Sequence, residues 1–427
     1  MGRLSRYRFG VSSIAPTQPA EVDLLDPVVQ ADPYRAYDVL REQAPVWEMP
    51  ETGFFVVTSY AGLDAVIRDP ATFSIELGSL GMVSLFRTKA AREIFKKEGW
   101  VVGTKLSTDP PTHDGYRSLI NVSFTAGRVR KSEPFIRGII ENLLNRLTPA
   151  GRCEFVADFC VPLPLRVITD RLGLPEADLE QLKVWSEAWV EPFSYAMTPE
   201  RELEVAGQMV ALQHYLVEWL ERKRQSPQED ILSDLATGRF RGERLLSTEE
   251  MLGIAEQALV GGNETTTNAI ASGLLLLLRH PEAMDALRKD RSLLKPFIEE
   301  TLRLEAPTQG LLRRTTRETD LLGVRIPKDR MVHLRFGAAN RDPAVFAHPD
   351  RLDLNRSNAG SHMAFSQGEH HCLGAPLARQ EMKLAFEMLL DRWSDIQLDV
   401  AEEELSYLPS LTLRALRTLP LRFQPRD

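Results

Sequence analysis

Cysteine is scarce in this chain, which has only Cys153, Cys160 and Cys372 among its 427 residues. So few cysteines exclude the disulfide framework of a small secreted protein and fit a reducing compartment. Long apolar runs are also missing, since the most apolar stretch, residues 269–278, is shorter than a bilayer span and residues 1–23 hold no signal-peptide core. We therefore expect no membrane segment and a cytoplasmic location.

An excess of positive charge is missing as well. The formal net charge is -8, with 26% charged and 43% hydrophobic residues, so the composition is that of a globular protein with no general attraction to nucleic acid or anionic lipid. No linker rich in Pro, Gly or Ser and no internal repeat divides the chain. We predict an N-terminal arm (1–30) followed by a single domain (31–427).

Helical periodicity dominates the middle of the chain and predicts helices at 32–43, 154–172, 176–191, 199–224, 248–278, 281–288 and 375–393. Short β-like runs are predicted at 311–315, 324–326 and 331–335. Two hairpins are expected, one from 46–48 and 54–58 around a turn at 51–53, the other from 411–414 and 419–423. The fold class is therefore mainly α, an α+β arrangement with a small β-rich lobe.

Cys372 lies in a loop unlike the setting of an ordinary buried thiol, although a structural cysteine is the commoner case. Residues 365–374 read Phe-Ser-Gln-Gly-Glu-His-His-Cys-Leu-Gly and lead into the predicted helix 375–393. Backbone N–H groups at a helix start stabilise a thiolate, so Cys372 is a candidate metal ligand. A zinc site of His370, His371 and Cys372, with His362 as a further ligand, is disfavoured because consecutive ligands point apart and no C-x-x-C pair exists.

The pattern F-x-x-G-x-H-x-C-x-G, formed by Phe365, Gly368, His370, Cys372 and Gly374, resembles the cysteine-ligand loop of the cytochrome P-450 superfamily. The resemblance implies the superfamily's helical domain, with haem b (iron protoporphyrin IX) between a long distal helix and the proximal cysteine loop. It also implies that Cys372 is the axial thiolate ligand of the iron. The loop departs from the family in one place, where Ser366 stands instead of the usual glycine, and we expect this serine to tighten the loop.

The long predicted helix 248–278 contains a polar, glycine-rich patch, and residues 261–266 read Gly-Gly-Asn-Glu-Thr-Thr. Taken alone, such a patch favours a kink with threonines bonded to the preceding turn. Here it resembles the superfamily's oxygen-binding motif. The resemblance implies that Gly261 lets oxygen approach the helix and that Glu264 and Thr265 are the catalytic acid–alcohol pair.

Several basic residues stand at family-like positions for binding the propionates of a haem. His113 and Arg117 are one helical turn apart and resemble the family's H-x-x-x-R helix, while Arg313 and His370 match two further propionate contacts. Surface placement is the alternative for His113 and for Arg117. Arg314 adjoins Arg313, so this assignment is open between the two.

A second family-like motif is structural. Glu300 and Arg303 are three residues apart on one predicted helical face, which by itself indicates only a weak surface ion pair. With the downstream segment 349–353, they resemble the superfamily's E-x-x-R pair and the arginine that joins it. The resemblance implies that Glu300, Arg303 and Arg351 form a core behind the cysteine loop.

The activity implied is insertion of one oxygen atom of O2 into a C–H bond of a small or medium hydrophobic substrate, with terpenoids and aromatics favoured. No flavin or nicotinamide fingerprint is present, so electrons should come from an iron–sulfur ferredoxin and its NAD(P)H-dependent reductase. Arg128, Arg130 and Lys131 are either a solvated basic run or a surface that steers an acidic ferredoxin.

By the same resemblance, the substrate pocket should be lined by parts of 78–101, 185–209, 258–261, 308–311 and 409–411, including Phe193, Val260, Leu311 and Leu312. Arg87, Lys89 and Arg92 favour an exposed basic face over a carboxylate site. Alternatives to a monooxygenase are peroxide-driven or rearrangement chemistry in the same fold, a haem-binding sensor and a zinc hydrolase. The Glu264–Thr265 pair disfavours the first, and the lack of an output domain disfavours the second.

Overall fold

The computed structural model describes residues 16–76, 81–194 and 197–426, and helices dominate them. The first eight helices are α1 (Pro27–Ala31), α2 (Tyr34–Gln43), α3 (Tyr60–Ile67), α4 (Lys89–Glu98), α5 (Thr112–Asn121), α6 (Ala126–Lys131), α7 (Glu133–Leu147) and α8 (Pro162–Leu172). The next eight are α9 (Leu179–Val190), α10 (Pro199–Gln225), α11 (Ile231–Thr237), α12 (Thr248–Arg279), α13 (Pro281–Lys289), α14 (Leu294–Leu304), α15 (Phe336–Ala339) and α16 (Ala375–Arg392).

The strands found within the described residues are short and divide among four small sheets. They are β1 (Val46–Glu48), β2 (Phe55–Val57), β3 (Phe73–Ser74), β4 (Arg152–Glu154), β5 (Arg239–Phe240), β6 (Arg244–Leu245), β7 (Gly310–Thr315), β8 (Thr319–Leu321), β9 (Val324–Ile326), β10 (Met331–Arg335), β11 (Trp393–Leu398) and β12 (Pro420–Pro425). The largest sheet has the order β1-β2-β10-β7-β3, in which only β2 and β10 run parallel. Strands from residues 46–74 and from residues 310–335 therefore build the β-rich lobe, and the predicted fold class is confirmed.

The early hairpin is confirmed, but the predicted C-terminal hairpin is wrong. Strand β12 pairs with β11 on one side and with β4 on the other. Residues 411–414 instead run beside residues 307–309, where Arg414 N–H donates to the Pro307 carbonyl at 2.9 Å and Gln309 N–H donates to the Thr412 carbonyl at 2.7 Å. Residues 411–414 and one edge of β12 find partners far away in the sequence, which a local alternation pattern cannot reveal.

The helix predicted over 154–172 is interrupted. Strand β4 occupies its start, a π-helical turn follows at Val156–Cys160, and α8 begins at Pro162. Pro162 and Pro164 lack the N–H groups that a continuous helix would need there. The Cys160 carbonyl instead accepts a hydrogen bond from the Thr267 hydroxyl of α12 at 3.0 Å.

Helix α12 runs through the centre of the molecule. Its start is fixed by a capping box, in which the Ser247 hydroxyl accepts from Glu250 N–H and the Glu250 carboxylate accepts from Ser247 N–H. Gly262 lets α8 approach closely, because a Cβ atom there would lie 2.7 Å from Ile168. The main apolar core packs α12 against α7, α14 and α16.

None of the helices within the described residues is both long and apolar enough to cross a membrane. Helix α1 spans the expected boundary at residue 30, and Val22 and Leu24 before it are buried. The division into an arm and one domain stays a prediction, and residues 1–15 of the arm lie outside the described residues.

Candidate active site

An internal cavity of about 300 Å³ lies between α12 and the loop that precedes α16. Its walls include these predicted site residues: Arg117, Gly261, Thr265, Arg313, Phe365, His370, Cys372 and Gly374. Glu264, His113 and Gly368 are not among its lining residues within the described chain, although each lies beside one that is. The structure thus brings most of the predicted site together from four separate parts of the chain.

The cysteine loop is tightly folded. The Cys372 N–H donates to the Phe365 carbonyl at 2.9 Å and closes the loop. Ser366 has a φ of 55° and Gly368 a φ of 65°, both in the left-handed region where glycine alone carries no steric penalty. This explains why glycine is usual at the position of Ser366. The serine costs backbone strain, and its buried hydroxyl has no hydrogen-bond partner within the described residues.

The Cys372 thiol is exposed on the wall of the cavity and is otherwise surrounded by protein. Burial raises the pKa of this thiol, while the backbone N–H groups of Gly374 and Ala375 act in the opposite direction, helped by Arg117 and Arg379. These N–H groups belong to the first turn of α16, so they provide the helix-terminus environment that the sequence predicted.

Arg117 extends from α5 to the cysteine loop. Its guanidinium donates to the carbonyls of Glu369 at 2.9 Å and His371 at 2.6 Å, and it also lines the cavity. The neighbouring Tyr116 hydroxyl donates to the Glu250 carboxylate of α12 at 2.6 Å. Helix α5 is therefore anchored to α12, and this anchor fixes where Arg117 enters the site.

His113 and His370 pack ring against ring, with 4.3 Å between the ring centroids. Neither His370 nitrogen makes a hydrogen bond within the described residues, and Nδ1 of buried His113 also lacks one. Burial, together with His113, Arg313 and Arg117, lowers the pKa of His370 to about 3; the Leu106 backbone opposes this shift without reaching hydrogen-bond geometry. Such unpaired nitrogens at a cavity wall are typical of a binding site for a polar or charged group.

Arg313, not Arg314, faces the cavity. Arg313 is buried and donates to the Leu312 carbonyl of its own strand at 2.9 Å, with no carboxylate partner among the described residues. Burial lowers its pKa to about 10, and Asp109 partly opposes the shift. Arg314 points outward and pairs with Asp329 at 2.7 Å. Arg313 is therefore a buried cation that lacks a close counter-charge.

On α12, the Thr265 hydroxyl lines the cavity and donates to the Gly261 carbonyl one turn earlier, at 2.9 Å. The adjacent Glu264 carboxylate turns away toward α9. It accepts hydrogen bonds from Lys183 at 2.9 Å and from Ser186 at 3.2 Å. The two predicted catalytic side chains thus lie side by side, with Thr265 at the cavity and Glu264 linked to a partly exposed lysine.

The predicted core of Glu300, Arg303 and Arg351 is correct in two of its three members. Arg303 binds Glu300 at 2.5 Å with both side chains fully buried. The second arginine on Glu300 is Arg356, at 3.0 Å, whereas the exposed Arg351 contributes only its carbonyl. The assignment of Arg351 is wrong because the chain after it folds back and brings Arg356 into the buried position.

His362 belongs to a different cluster from the one that a zinc site would require. It pairs with Glu299 at 3.1 Å, and Arg379 binds the same carboxylate at 2.7 Å. Burial would raise the pKa of Glu299, but hydrogen bonds from His362 and Arg379 outweigh it and hold this pKa at about 2. Among the described residues, no three His, Cys, Asp or Glu side chains come together as a metal site.

The predicted pocket segments are only partly correct. Ala258, Gly261, Thr308 and Leu311 line the cavity, but no described residue of 78–101, 185–209 or 409–411 does, and residues 78–80, 195 and 196 lie outside the described residues. In place of the expected segment 78–101, this part of the wall is formed by Ile75, which precedes the segment, and by Leu106 and Ser107, which follow it. In that segment, Arg87 pairs with Glu202 at 3.1 Å.

One acidic residue on the cavity wall escaped the sequence analysis. Glu381 of α16 is buried, one of its carboxylate oxygens has no hydrogen-bond partner within the described residues, and burial raises its pKa well above the usual value. Its position nine residues after Cys372, on the same helix as the cavity-lining Leu377 and Ala378, is the only signal that could have found it.

The residues present fit a haem. The cavity has a thiol on the side of the cysteine loop and a glycine-bearing stretch of α12 on another side. At its edge lie Arg313, Arg117 and the unpaired nitrogens of His370. Cations and unused donors of this kind match the two propionates of a haem, and the apolar walls match its macrocycle.

Comparisons with known proteins agree with this geometry. A sequence model of the family described as Cytochrome P450 matches residues 179–415. The chain is 36% identical over 400 residues to the cytochrome P450 monooxygenase PikC of Streptomyces venezuelae, with 92% of each chain covered. It is 33% identical to the vitamin D(3) 25-hydroxylase of Pseudonocardia autotrophica, covering 97% of this chain and 100% of that one.

Solved structures give the same result. P450BioI, crystallised in complex with an acyl carrier protein ligated to hexadec-9Z-enoic acid, is 31% identical and superimposes with a TM-score of 0.84, covering 93% of this chain and 99% of that one. The tirandamycin C-bound monooxygenase TamI is 33% identical with a TM-score of 0.82, covering 93% and 99%. The fold and the site define a haem-binding monooxygenase. This chain belongs to the cytochrome P450 family.

Proposed function

We propose that Cys372 provides the axial thiolate to the haem iron and that the enzyme inserts one oxygen atom of O2 into a substrate C–H bond. The observation that carries this proposal is the position of the Cys372 thiol on the wall of a cavity shared with Thr265 and Arg313. When bound, the haem supplies oxygen activation, which a thiolate ligand favours. The N–H groups of Gly374 and Ala375 oppose the rise in pKa that burial imposes on the thiol and so favour the thiolate form.

The basic residues at the cavity edge hold the haem in register. Arg313 and His370 would donate hydrogen bonds to the haem propionates, and His113 supports His370 through the ring contact. Arg117 contributes positive charge while it secures the cysteine loop through the carbonyls of Glu369 and His371. Phe365, Gly368 and Gly374 shape the loop, and Gly261 leaves open space on α12, where a Cβ atom would meet nothing within 4 Å.

Thr265 and Glu264 control protons on the distal side. The Thr265 hydroxyl proton is committed to the Gly261 carbonyl, so its oxygen faces the cavity as a hydrogen-bond acceptor for water. Glu264, next to Thr265 on α12, accepts hydrogen bonds from Lys183 and Ser186 on α9. Because Lys183 is partly exposed, these contacts connect the region around Thr265 with the protein surface. The pair thereby guides protons inward one at a time.

The substrate is a hydrophobic organic molecule of small or medium size, with terpenoids and aromatic compounds as the first candidates. The cavity walls are largely apolar and include Ile75, Leu106, Ala258 and Leu311. Relatives named as a vitamin D(3) 25-hydroxylase and a 6-deoxyerythronolide B hydroxylase favour substrates of this kind.

Electrons come from an acidic iron–sulfur ferredoxin and its NAD(P)H-dependent reductase. A concave surface lies on the outer face of α16, next to Pro376 and Gln380, and carries the exposed cations Arg130, Lys295 and Lys383. Arg128 and Lys131 of the predicted basic cluster contribute less, because Asp234 and Glu229 neutralise them. Only Arg130 of that cluster belongs to this concave surface.

Oxygen insertion is tested by isotope labelling. A panel of terpenoids, aromatic acids, steroids and fatty acids is first screened for a substrate-induced spin-state change, and each compound that produces one is turned over with a ferredoxin, its reductase and ¹⁸O2. We expect a hydroxylated product with one ¹⁸O atom, and no product from Cys372→Ser. Product oxygen that comes from water, or turnover supported only by hydrogen peroxide, would contradict the proposal.

Electron delivery is tested by charge reversal on the concave surface. In Lys383→Glu and Arg130→Glu, reduction by an acidic ferredoxin should slow about tenfold at low salt, and the difference from the wild type should shrink as ionic strength rises. Lys131→Glu, whose lysine already faces Glu229, serves as the matched control with a smaller effect. Reduction that is independent of salt and of these variants would contradict the assigned surface.

A further inference from the structure

A glutamine side chain on the wall of the cavity has an unused hydrogen-bonding atom. Gln257 of α12 and Ser107 both line the cavity, and the Gln257 Nε2 atom donates to the Ser107 hydroxyl oxygen at 3.0 Å. The Gln257 Oε1 atom is buried and has no hydrogen-bond partner within the described residues. Burying an unpaired amide oxygen costs free energy, so the position calls for an explanation.

Gln257 lies on the face of α12 that borders the cavity. It precedes Gly261 by one helical turn and Thr265 by two, and all three residues line the cavity. At a rise of 1.5 Å per residue, Gln257 is about 6 Å from Gly261 and about 12 Å from Thr265 along the helix axis. Gln257 therefore shares a wall with the proposed oxygen site but stands some distance along it.

Ser107 is held beside Gln257 because residues 103–107 pack closely on α12. Gly253, one turn before Gln257, makes room for this segment, since a Cβ atom there would lie 2.4 Å from the Gly103 carbonyl oxygen. The segment also forms its own turn, in which Ser107 N–H donates to the Thr104 carbonyl at 3.0 Å. Two polar side chains are thus fixed side by side at the cavity wall before a ligand binds.

Together, Gln257 and Ser107 offer one donor and one acceptor to a ligand. The Ser107 hydroxyl donates to no acceptor in the described part of the chain, and Oε1 of Gln257 accepts from no donor there. A hydroxyl group both donates and accepts, so one such group satisfies both atoms, whereas an ether oxygen only accepts. The adjoining wall residues Leu106 and Ala258 are apolar and match a hydrocarbon around that hydroxyl.

We propose that Gln257, together with Ser107, is a specificity-determining residue that binds a hydroxyl group on an otherwise apolar substrate. This assignment rests on the proposed function and names the substrate class of the same site. The substrate hydroxyl donates to Oε1 of Gln257 and accepts from the Ser107 hydroxyl. A substrate without the hydroxyl leaves both atoms unpaired in the closed cavity, which disfavours its binding. The oxidised C–H bond is then on a different carbon, several bonds away from the hydroxyl.

The test uses ligands that bind the ferric haem iron directly, so the natural substrate need not be identified first. N-alkylimidazoles coordinate the iron through the ring and extend a tail of chosen length, which ends either in a hydroxyl or in a methyl group. Titration of the Soret shift gives the Kd of each ligand. In the wild type, the ratio of the methyl-tail Kd to the hydroxyl-tail Kd should peak at one tail length. In Gln257→Leu, this ratio should fall about tenfold at that length, because the hydroxyl loses its acceptor.

Three further variants separate recognition from a structural role. Ser107→Ala should lower the ratio about threefold, because one of the two hydrogen bonds remains. Gln257→Glu keeps an acceptor and should retain the preference for the hydroxyl tail. Gln30→Leu is the matched control, since Gln30 is also partly buried with an unpaired Oε1 among the described residues but does not line the cavity. It should keep the wild-type ratio.

A ratio that is the same in the wild type and in Gln257→Leu at every tail length would overturn the assignment of Gln257 alone, and so would an equal fall in Gln30→Leu. A wild-type protein that bound no imidazole would overturn the proposed function, and this assignment with it.

Discussion

Ser366 and Thr265 are single residues whose local geometry affects the whole site. Ser366 holds a left-handed backbone conformation and a buried hydroxyl without a partner among the described residues, directly below the turn that presents Cys372. Thr265 places its hydroxyl oxygen at the cavity and donates a hydrogen bond to the Gly261 carbonyl. Ser366 affects the stability of the loop, whereas Thr265 affects whether electrons yield product or hydrogen peroxide. The two residues can therefore be tested independently.

Replacing Ser366 by glycine should stabilise the protein. Ser366→Gly removes a strained φ and an unpaired hydroxyl, and these gains exceed the entropy lost by adding a glycine, so the free energy of unfolding should rise by about 1 kcal/mol. Urea unfolding of the haem-loaded protein measures it. Ser361→Gly, at an exposed position without positive φ, is the control and should lose roughly 0.5 kcal/mol. Equal losses in both variants would contradict the strain argument.

Replacing Thr265 by alanine should uncouple electron use from product formation. Thr265→Ala should retain haem and substrate binding, whereas product per NAD(P)H should fall about tenfold and hydrogen peroxide should rise to match, because water at the distal side loses its acceptor. Simultaneous assays of NAD(P)H, peroxide and product measure this ratio. Thr267→Ala, whose hydroxyl binds the Cys160 carbonyl outside the cavity, should stay coupled. Full coupling in Thr265→Ala would refute its assigned role.

Motifs made of neighbouring residues could be predicted from the sequence, but contacts across the chain could not. The spacing around Cys372 and around Thr265 was sufficient to find both. Arg356 was missed because the fold of residues 349–356 decides which arginine becomes buried, and neither charge nor spacing distinguishes Arg351 from Arg356. Glu381 was missed because an acid on a helix is usually solvated.

Helix α14 is the element that supports the cysteine loop. It contributes two consecutive acids to separate clusters: Glu299 binds His362 and Arg379, while Glu300 binds Arg303 and Arg356. Arg379 also lies over the Phe365 ring at 4.5 Å, and Phe365 accepts the hydrogen bond of Cys372 N–H. Disrupting either cluster should therefore disturb the position of Cys372, because the effect is transmitted through the loop.

The corrected partner of Glu300 can be tested by paired substitutions. Arg356→Ala removes a buried cation from a buried carboxylate and should cost roughly 3 kcal/mol of folding free energy and lower haem retention. Arg351→Ala removes an exposed side chain and should cost less than about 0.5 kcal/mol. Thermal unfolding and haem content after purification are the two measurements. The reverse order of effects would restore Arg351 to the core.

Glu299 makes stability depend on pH in a definite direction. Its pKa is about 2 in the folded protein and lies near the ordinary glutamate value of 4.5 when unfolded, so its contribution is complete above pH 4.5 and is lost as the pH falls toward 2. Glu299→Gln should lower the unfolding free energy by about 3 kcal/mol at pH 7, with a difference that shrinks below pH 4.5. Denaturant unfolding across this range should show no such trend for exposed Glu403→Gln.

Helices and strands could be predicted from the sequence where a single periodic pattern determines them. Helix α12 was found nearly to the residue because its helical periodicity extends over many residues, and the structure adds that a capping box fixes its start. The helix expected over 154–172 was broken by prolines whose effect a periodic pattern hides. Strand β12 was assigned the wrong partner because it pairs with β4, which is far away in the sequence, and with β11, which precedes the segment taken as its hairpin partner.

At the scale of the whole molecule, we assign electron delivery and substrate entry to two different surfaces. Its net charge is -8, yet Arg130, Lys295 and Lys383 collect on the outer face of α16, so an acidic partner is attracted locally and repelled elsewhere. The cavity lies on the inner side of α16, which contributes Leu377 and Glu381 to its wall. We therefore expect electrons and substrate to approach the haem from different sides.

The central claim, thiolate ligation by Cys372, is tested most directly by the absorption spectrum of the reduced, carbon monoxide-bound protein. We predict a Soret band far to the red of that of a histidine-ligated haem. In Cys372→His the band should move to the histidine position, while Cys153→Ser should leave it unchanged. A wild-type spectrum of the histidine type, or a thiolate-type spectrum that persists in Cys372→His, would contradict the account.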